Sequence, residues 1–456
     1  MSRFPRRAFL QSTAGLAASG ALLPDWLGDL SYGMKLAYQE GSSDRRRLGS
    51  IGVGGQGTGI MYSARRFADQ IAVCDVDKAH AERGARLGRR RRRGEGGGEE
   101  EPADDGRRAE IYSDYRKLLE RNDIDVVTIG TPDHWHTRIC IEALRAGKDV
   151  YCEKPLTLTV AEGQQLVKVV QETGRVLQVG TQQRNQVDLF GRAIATIRAG
   201  QLGKLKKITV SLPLSTDEGG PFEKQPVPEG LDWDFWLGQA PLADYCPQRC
   251  HFQFRWWYEY SGGIATDWGA HHMDIAQWGM NLSESGPTTI DSTATKMPNI
   301  PGGYNTPKQM RCTYMYPGDV EVFMTTETGD EGVLFEGENG RMYVNRGRIT
   351  GKPIEEQDAD QSLRDKVQKI LAEEVYRGRK VGDHMADFFN AVADRSKPMS
   401  DVVSQHRTVS ACHLANISAR LQRKLTWDAA KEQFVGDDEA NGMLSRTQRS
   451  PYEIPA

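Results

Sequence analysis

The stretch Gly52-Val53-Gly54-Gly55-Gln56-Gly57 has the spacing G-x-G-x-x-G, and its reading decides the fold. A strand-like run precedes it and a helical pattern follows, the setting in which such a turn has a physical purpose. The first glycine permits a tight turn, the second lets the main chain approach a pyrophosphate, and the third lets helix and strand pack closely. The helix start adds free amides and a favourable dipole for the phosphates. With 48 glycines in 456 residues the spacing alone is weak, and Gly49 and Ser50 stand where a buried strand would carry large aliphatics. Asp75, 23 positions after Gly52 and at the end of the next apolar run, strengthens the reading. A carboxylate there accepts hydrogen bonds from ribose hydroxyls and repels a 2′-phosphate, which favours NAD over NADP. As a helix cap it would be redundant, because Asp77 can fill that place. Gly52, Gly54, Gly55, Gln56, Gly57 and Asp75 are therefore expected to bind the cofactor.

Outward from this turn, residues 46–183 alternate short apolar runs with helical patterns, as βαβ units do. Strands are expected at Ile71–Cys74, Val126–Ile129, Asp149–Cys152 and Val176–Val179. Ser113 or Asp114 can cap one helix, and Thr159 with Glu162 makes a capping box for another. A block from Arg89 to Arg108, with five consecutive arginines and then a Gly/Glu run, cannot bury an apolar face and reads as a disordered surface insertion. From residue 184 to 456, longer alternating runs such as 206–212, 310–316 and 320–326 point to a mostly antiparallel sheet. The late helices around 384–392 and 404–421 are expected to pack back on the first domain. The expected fold is α/β: an N-terminal Rossmann parallel sheet, then a C-terminal α+β domain with a large, mostly antiparallel open sheet.

Bulk composition excludes several classes. Hydrophobic residues at 38%, charged residues at 27% and a net charge of -3 suit an ordinary globular protein with no basic field for nucleic acid. Seven scattered cysteines make no disulfide framework. Cys246, Cys250 and His251 match no zinc spacing and read as loop packing, so no metal is expected. No apolar run is long enough for membrane insertion. Residues 1–45 read as a signal and linker: Arg6-Arg7-Ala8-Phe9-Leu10 followed by a mild small-residue stretch resembles a twin-arginine export signal. That route carries folded proteins to the periplasm or beyond, and suits an enzyme that keeps a nucleotide acquired in the cytoplasm.

Three further motifs follow in order. Gly130-Thr131-Pro132-Asp133-His134-Trp135-His136 comes after one predicted strand and Glu153-Lys154-Pro155 after the next. Gly262-Gly263 then leads to Asp267-Trp268-Gly269-Ala270-His271-His272-Met273-Asp274. Together with the glycine turn they resemble the glucose–fructose oxidoreductase, inositol dehydrogenase and rhizopine-catabolism family (Gfo/Idh/MocA), from about residue 46 to the last helices. The resemblance implies that Lys154 hydrogen-bonds the reacting hydroxyl, with a cis bond to Pro155. Thr131 and His136 would line the nicotinamide end, and Glu153 would contact its ribose. A lysine just beyond a parallel strand stands where open α/β sheets bind ligands and can steady a developing oxyanion. Asp267, His271 and Asp274 at i, i+4 and i+7 would share one helix face, with His271 as general base and Asp267 orienting it or binding substrate. His272 reads as structural, and His134 has no assigned role.

Aromatic residues crowd ahead of this helix in Trp233-Asp234-Phe235-Trp236 and Arg255-Trp256-Trp257-Tyr258. Their faces suit pyranose or cyclitol rings, with Arg184, Arg255 and Tyr258 as hydroxyl partners, although core packing explains them equally well. The expected activity is hydride transfer between a ring hydroxyl of a sugar or cyclitol and a tightly held NAD. The alternative that the family resemblance implies is an NAD-dependent glycosidase, which oxidises C3, eliminates the aglycone, adds water and reduces again, with His271 and Tyr258 as acid and base. A nucleotide sensor would have no use for Lys154, Asp267 and His271 together. A homodimer or homotetramer through the second sheet is what the family resemblance implies.

Overall fold

The computed structural model describes residues 45–86, 108–214, 219–379 and 381–456. The twin-arginine segment and almost all of the arginine-rich insertion lie outside the described residues. The insertion's two flanks meet in a β-bridge between Arg86 and Arg108.

The first sheet is built from β1 (Arg46–Ile51), β2 (Ala68–Cys74), β3 (Glu110–Tyr112), β4 (Val126–Ile129), β5 (Asp149–Cys152) and β6 (Leu177–Val179). Helices α1 (Gly55–Ala64), α2 (Lys78–Gly84), α3 (Tyr115–Leu119), α4 (Asp133–Arg145) and α5 (Val160–Thr173) connect them. The strand order is β3-β2-β1-β4-β5-β6, every pair parallel. The order reverses between β1 and β4, which opens a crevice at the strands' carboxyl ends.

The unusual composition of β1 has a packing reason. Ser50 Oγ meets Gln70 Oε1 at 3.1 Å and Thr128 Oγ1 at 2.7 Å, a polar row buried across β2, β1 and β4. A Cβ on Gly49 would stand 2.8 Å from Leu118 Cδ2, so glycine lets α3 settle onto the sheet. Asp114, rather than Ser113, caps α3. Thr159 caps α5, but the Glu162 carboxylate accepts from Leu158 N and Thr137 Oγ1 rather than closing a full capping box.

After β6 come two short turns, α6 (Arg192–Arg198), β7 (Leu205–Ser211), α7 (Trp233–Leu237), α8 (Ile264–Asp267) and α9 (Gly269–Gly279). The rest of the second sheet is β8 (Thr289–Asp291), β9 (Arg311–Tyr316), β10 (Val320–Thr325), β11 (Gly332–Gly337), β12 (Gly340–Val344) and β13 (Ile349–Thr350), then β14 (Leu425–Asp428) and β15 (Gln433–Phe434). Its nine strands run β13-β12-β11-β7-β10-β9-β8-β14-β15, antiparallel except for the β7–β10 pair. One face packs on α6 and α9 through Ile208, Val322, Met273 and Phe335, all fully buried. Among the described residues four α-helices fall between β13 and β14: α10 (Lys352–Ala359), α11 (Gln361–Ile370), α12 (His384–Asp394) and α13 (Val402–Leu421). Phe388 of α12 packs on the first sheet beside Tyr151, and α13 lies against both α5 and α9. No helix among the described residues is long and apolar enough to cross a membrane.

A buried ion pair sets the position of α9. Arg184, just after β6, donates to both oxygens of Asp274 at 2.7 and 2.6 Å, and Gln405 and Thr408 of α13 donate to Oδ1. Asp274 is wholly buried. Removing one partner of such a pair leaves a buried charge uncompensated, at a cost of about 3–5 kcal/mol. Arg184→Leu is expected to lower unfolding free energy by that amount in chemical denaturation; a loss under about 1 kcal/mol would contradict this role.

Candidate active site

The crevice at the carboxyl ends of the first sheet continues into a cleft of about 570 Å³ walled on its far side by the second half of the chain. Its floor is the glycine turn. Gly52 adopts φ +74°, and a Cβ there would meet Thr131 N at 2.7 Å. A Cβ on Gly57 would stand 1.8 Å from Gly52 O, so only glycine lets α1 begin this close to β1. No side chain caps α1, which leaves its first amides for a ligand anion. Asp75 closes the turn: Oδ2 accepts from Val53 N at 2.8 Å and Oδ1 from Asp77 N at 3.0 Å. Gln56 donates to Glu153 Oε1 at 3.1 Å, and burial pushes the Glu153 carboxyl above its ordinary range. Thr131 lines the cleft with its Oγ1 buried and unpartnered. These features fit a dinucleotide: a bare helix start for the pyrophosphate, a carboxylate at the end of β2 and an unclaimed hydroxyl further along.

At the opposite end, Lys154 follows β5 and reaches across to the end of α8. Its Nζ donates to Asp267 Oδ1 at 2.6 Å and to Asp267 O at 2.9 Å, and the Lys154–Pro155 bond is cis. Arg255 Nε also donates to Asp267 Oδ1, at 3.3 Å. Burial pushes the Asp267 carboxyl up, but the two cations outweigh it and hold the group below its usual range. His271 lines the same wall, with Nδ1 buried and unpartnered. Burial, then the nearby charges of Lys154 and Arg346, hold its imidazole well below the ordinary histidine value. The result is an uncharged ring beside a fixed cation.

The structure places four other expected residues elsewhere. His136 does not line the cleft: its ring nitrogens face the carbonyls of Pro155 at 2.7 Å and Thr131 at 2.9 Å, bracing the two loops that do. Arg184 is committed to Asp274. Tyr258 opens on a separate small cavity, its hydroxyl donating to Asn416 at 3.3 Å. Asp274 does not share a face with Asp267 and His271, because the helix breaks at Trp268 between α8 and α9. Trp256 and Trp257 are buried packing residues, and His272 sits against Glu331 and stacks on Trp268.

Three residues with no assigned role also line the cleft. Trp268 directly follows Asp267 in the Asp267–Asp274 motif. Arg346, in the turn between β12 and β13, lies over the Trp268 ring at 4.7 Å, and nothing local in the sequence marks it. Asp133, at the start of α4, is buried and accepts a hydrogen bond from Ser261 Oγ. Burial pushes its carboxyl up to about 7, against the pull of Ser261 and the Arg255 and Lys154 charges.

Residues 46–181 match the NAD-binding Rossmann domain of the Gfo/Idh/MocA oxidoreductase family, and residues 219–454 match its C-terminal α/β domain. The chain belongs to the Gfo/Idh/MocA oxidoreductase family. Its first domain is accordingly an NAD-binding one. Glycosyl hydrolase family 109 protein 2 of Shewanella sp. (strain ANA-3) is 32% identical over 191 residues, 38% of this chain and 39% of that protein. Inositol 2-dehydrogenase of Salmonella paratyphi B is 38% identical over 77 residues, 17% of this chain and 23% of that protein. The chain thus matches well under half the length of these curated relatives. The WlbA dehydrogenase of Bordetella pertussis, solved with NADH and UDP-GlcNAcA, shares the fold at TM-score 0.58 and 15% identity, covering 84% of this chain and 99% of that one.

For a family member built this way, Gly57→Ala must push α1 off β1. The variant is expected to melt lower than wild type and to lose NAD binding in a fluorescence titration. Unchanged affinity would contradict the close approach seen at Gly52 O.

Proposed function

We propose that this chain moves a hydride between NAD and a ring CH–OH of a sugar or cyclitol. The observation that carries the reading is the largely buried Lys154–Asp267 pair beside an uncharged His271, in the same cleft as the glycine turn. When bound, NAD supplies the hydride acceptor or donor. The chain's own groups handle the proton and the charge. Asp267 anchors Lys154, so the Lys154 ammonium can hydrogen-bond the reacting oxygen and stabilise its developing negative charge. His271 accepts the hydroxyl proton, which its uncharged state permits. Trp268 lines the cleft beside them, and Arg255 and Arg346 offer donors for neighbouring hydroxyls. Gly52, Gly54, Gly55, Gln56, Gly57, Asp75, Thr131 and Glu153 would hold the cofactor, with Asp75 favouring NAD over NADP.

The twin-arginine pattern at Arg6-Arg7 supports export to the periplasm or beyond, through the twin-arginine machinery, with NAD already bound and retained. The second sheet supports a homodimer or homotetramer: its face away from α9 leaves Phe323 only partly covered, flanked by the Lys207–Glu321 pair.

A second reading rests on two observations: the similarity to glycosyl hydrolase family 109 proteins, and Asp133, a carboxyl held near neutrality in the cleft. A glycosidase acting through transient C3 oxidation needs a second proton carrier for elimination and hydration. Asp133 supplies a candidate where Tyr258 is out of reach.

Lys154→Ala is expected to lower kcat for sugar oxidation by about 10²-fold or more, since one preorganised donor to an oxyanion contributes about that much. Unchanged turnover would remove the mechanism common to both readings. Because the His271 ring is held below the ordinary value of 6.5, its proton-accepting form persists as pH falls through 6.5. The His271-dependent acid limb of kcat/KM should therefore lie below pH 6.5, and His271→Asn should remove it with a 10²–10⁴-fold rate loss. Aglycone release from a chromogenic glycoside without net NADH would favour the glycosidase; net NADH without release favours the dehydrogenase.

A further inference from the structure

At the end of β2 the cleft holds a cluster that neither reading uses. Asp77 caps α2 through Oδ1, which accepts from Ala79 N at 2.9 Å, and this leaves Oδ2 free of helix duty. His80 stands one turn along, so the i, i+3 relation brings its ring over the cap. From the other half of the chain, His251 projects toward the same carboxylate, its Nε2 3.3 Å from Asp77 Oδ2. His80 Nε2 lies 4.0 Å from that oxygen, and the two rings are 4.7 Å apart between centroids. The three candidate ligand atoms all lie within 4.8 Å of one another. His251 holds this place with φ +48°, a backbone state that a non-glycine residue adopts at a cost.

We propose that Asp77, His80 and His251 form a binding site for a divalent transition metal of the zinc class. Two imidazoles and one carboxylate are a ligand set that zinc and its neighbours prefer, whereas calcium and magnesium call for more oxygen donors. Ligands at about 2.0–2.1 Å in a tetrahedron stand about 3.4 Å apart. The Asp77–His251 separation already meets this, and the His80 ring has to move inward from its 4.0 Å separation from Asp77. Asp75 Oδ2 lies 3.6 Å from His80 Nδ1. It is placed to orient the ring from behind, as carboxylates do for metal-bound histidines. The fourth position faces the cleft, open to water or another small oxygen ligand. Cys246 and Cys250, close to His251 in sequence, take no part: both are buried, Cys250 within an aromatic cluster.

Such an ion would staple α2 of the first domain to the 251–256 segment of the second. The site follows from the side chains alone and does not rest on the proposed reaction. The test titrates the purified, chelator-treated protein with Co²⁺ and then Zn²⁺. The expected result is one equivalent of Co²⁺ with the visible absorption of a tetrahedral N/O site, displaced by Zn²⁺, together with a Zn²⁺-dependent rise in Tm. His251→Ala, at a half-exposed position, should melt like the metal-free wild type and lose the absorption and the Tm rise; His80→Ala should lose them too. Absence of stoichiometric binding, or binding that survives both substitutions, would overturn the proposal.

Discussion

The ion pair between Lys154 and Asp267 is the constraint on which the cleft depends. One partner extends from the first sheet and the other ends a helix of the second half, and both are nearly buried. A buried charge without its partner is costly, so neither side can be repositioned without the other. Two independently built layers are thereby held in one register at the point where a reacting oxygen would sit. The bond at 2.6 Å, supported by a second one to the Asp267 carbonyl, fixes the lysine's direction as well as its presence.

Burial sets the proton states around the pair, and the pair's charges modify them. Burial makes protonation of His271 unfavourable, and the cation fixed nearby adds to the effect. Asp133, equally enclosed but farther from compensation, is driven the other way, toward keeping its proton near neutrality. Two titratable groups in one cleft are thus pushed apart in character by their surroundings. That separation is what acid–base chemistry at neutral pH requires. His136, by contrast, spends both ring nitrogens on the Thr131 and Pro155 carbonyls and so serves the geometry of the loops.

Much of this was legible in the residues. The glycine turn, Asp75 and the alternating apolar runs specified the parallel sheet, because each depends on local spacing. The positions of Lys154, Asp267 and His271 in the cleft followed from motifs at strand and helix ends. The weakness of β1 was misleading: Ser50 is matched by Gln70 and Thr128, partners 20 and 78 residues away that local patterning does not reveal. Long-range pairing explains the other departures. Arg184 carries the right chemistry for a substrate hydroxyl, yet Asp274 claims it inside the fold. Tyr258 follows the aromatic run but turns into a different cavity. Arg346 reaches the cleft from a hairpin far along the chain. The helix break at Trp268 undid the periodicity argument for Asp274 alone, since Asp267 and His271 reach the same wall from separate helices.

Lys154 and His271 are proposed to govern a hydride transfer within the cleft between the two sheets. The most direct measurement follows absorbance at 340 nm after rapid mixing of the NAD-loaded protein with a panel of sugars and cyclitols. A substrate-dependent rise, transient if the hydride is returned, is expected in wild type and not in Lys154→Met. A rise of equal size and rate in both proteins would contradict it.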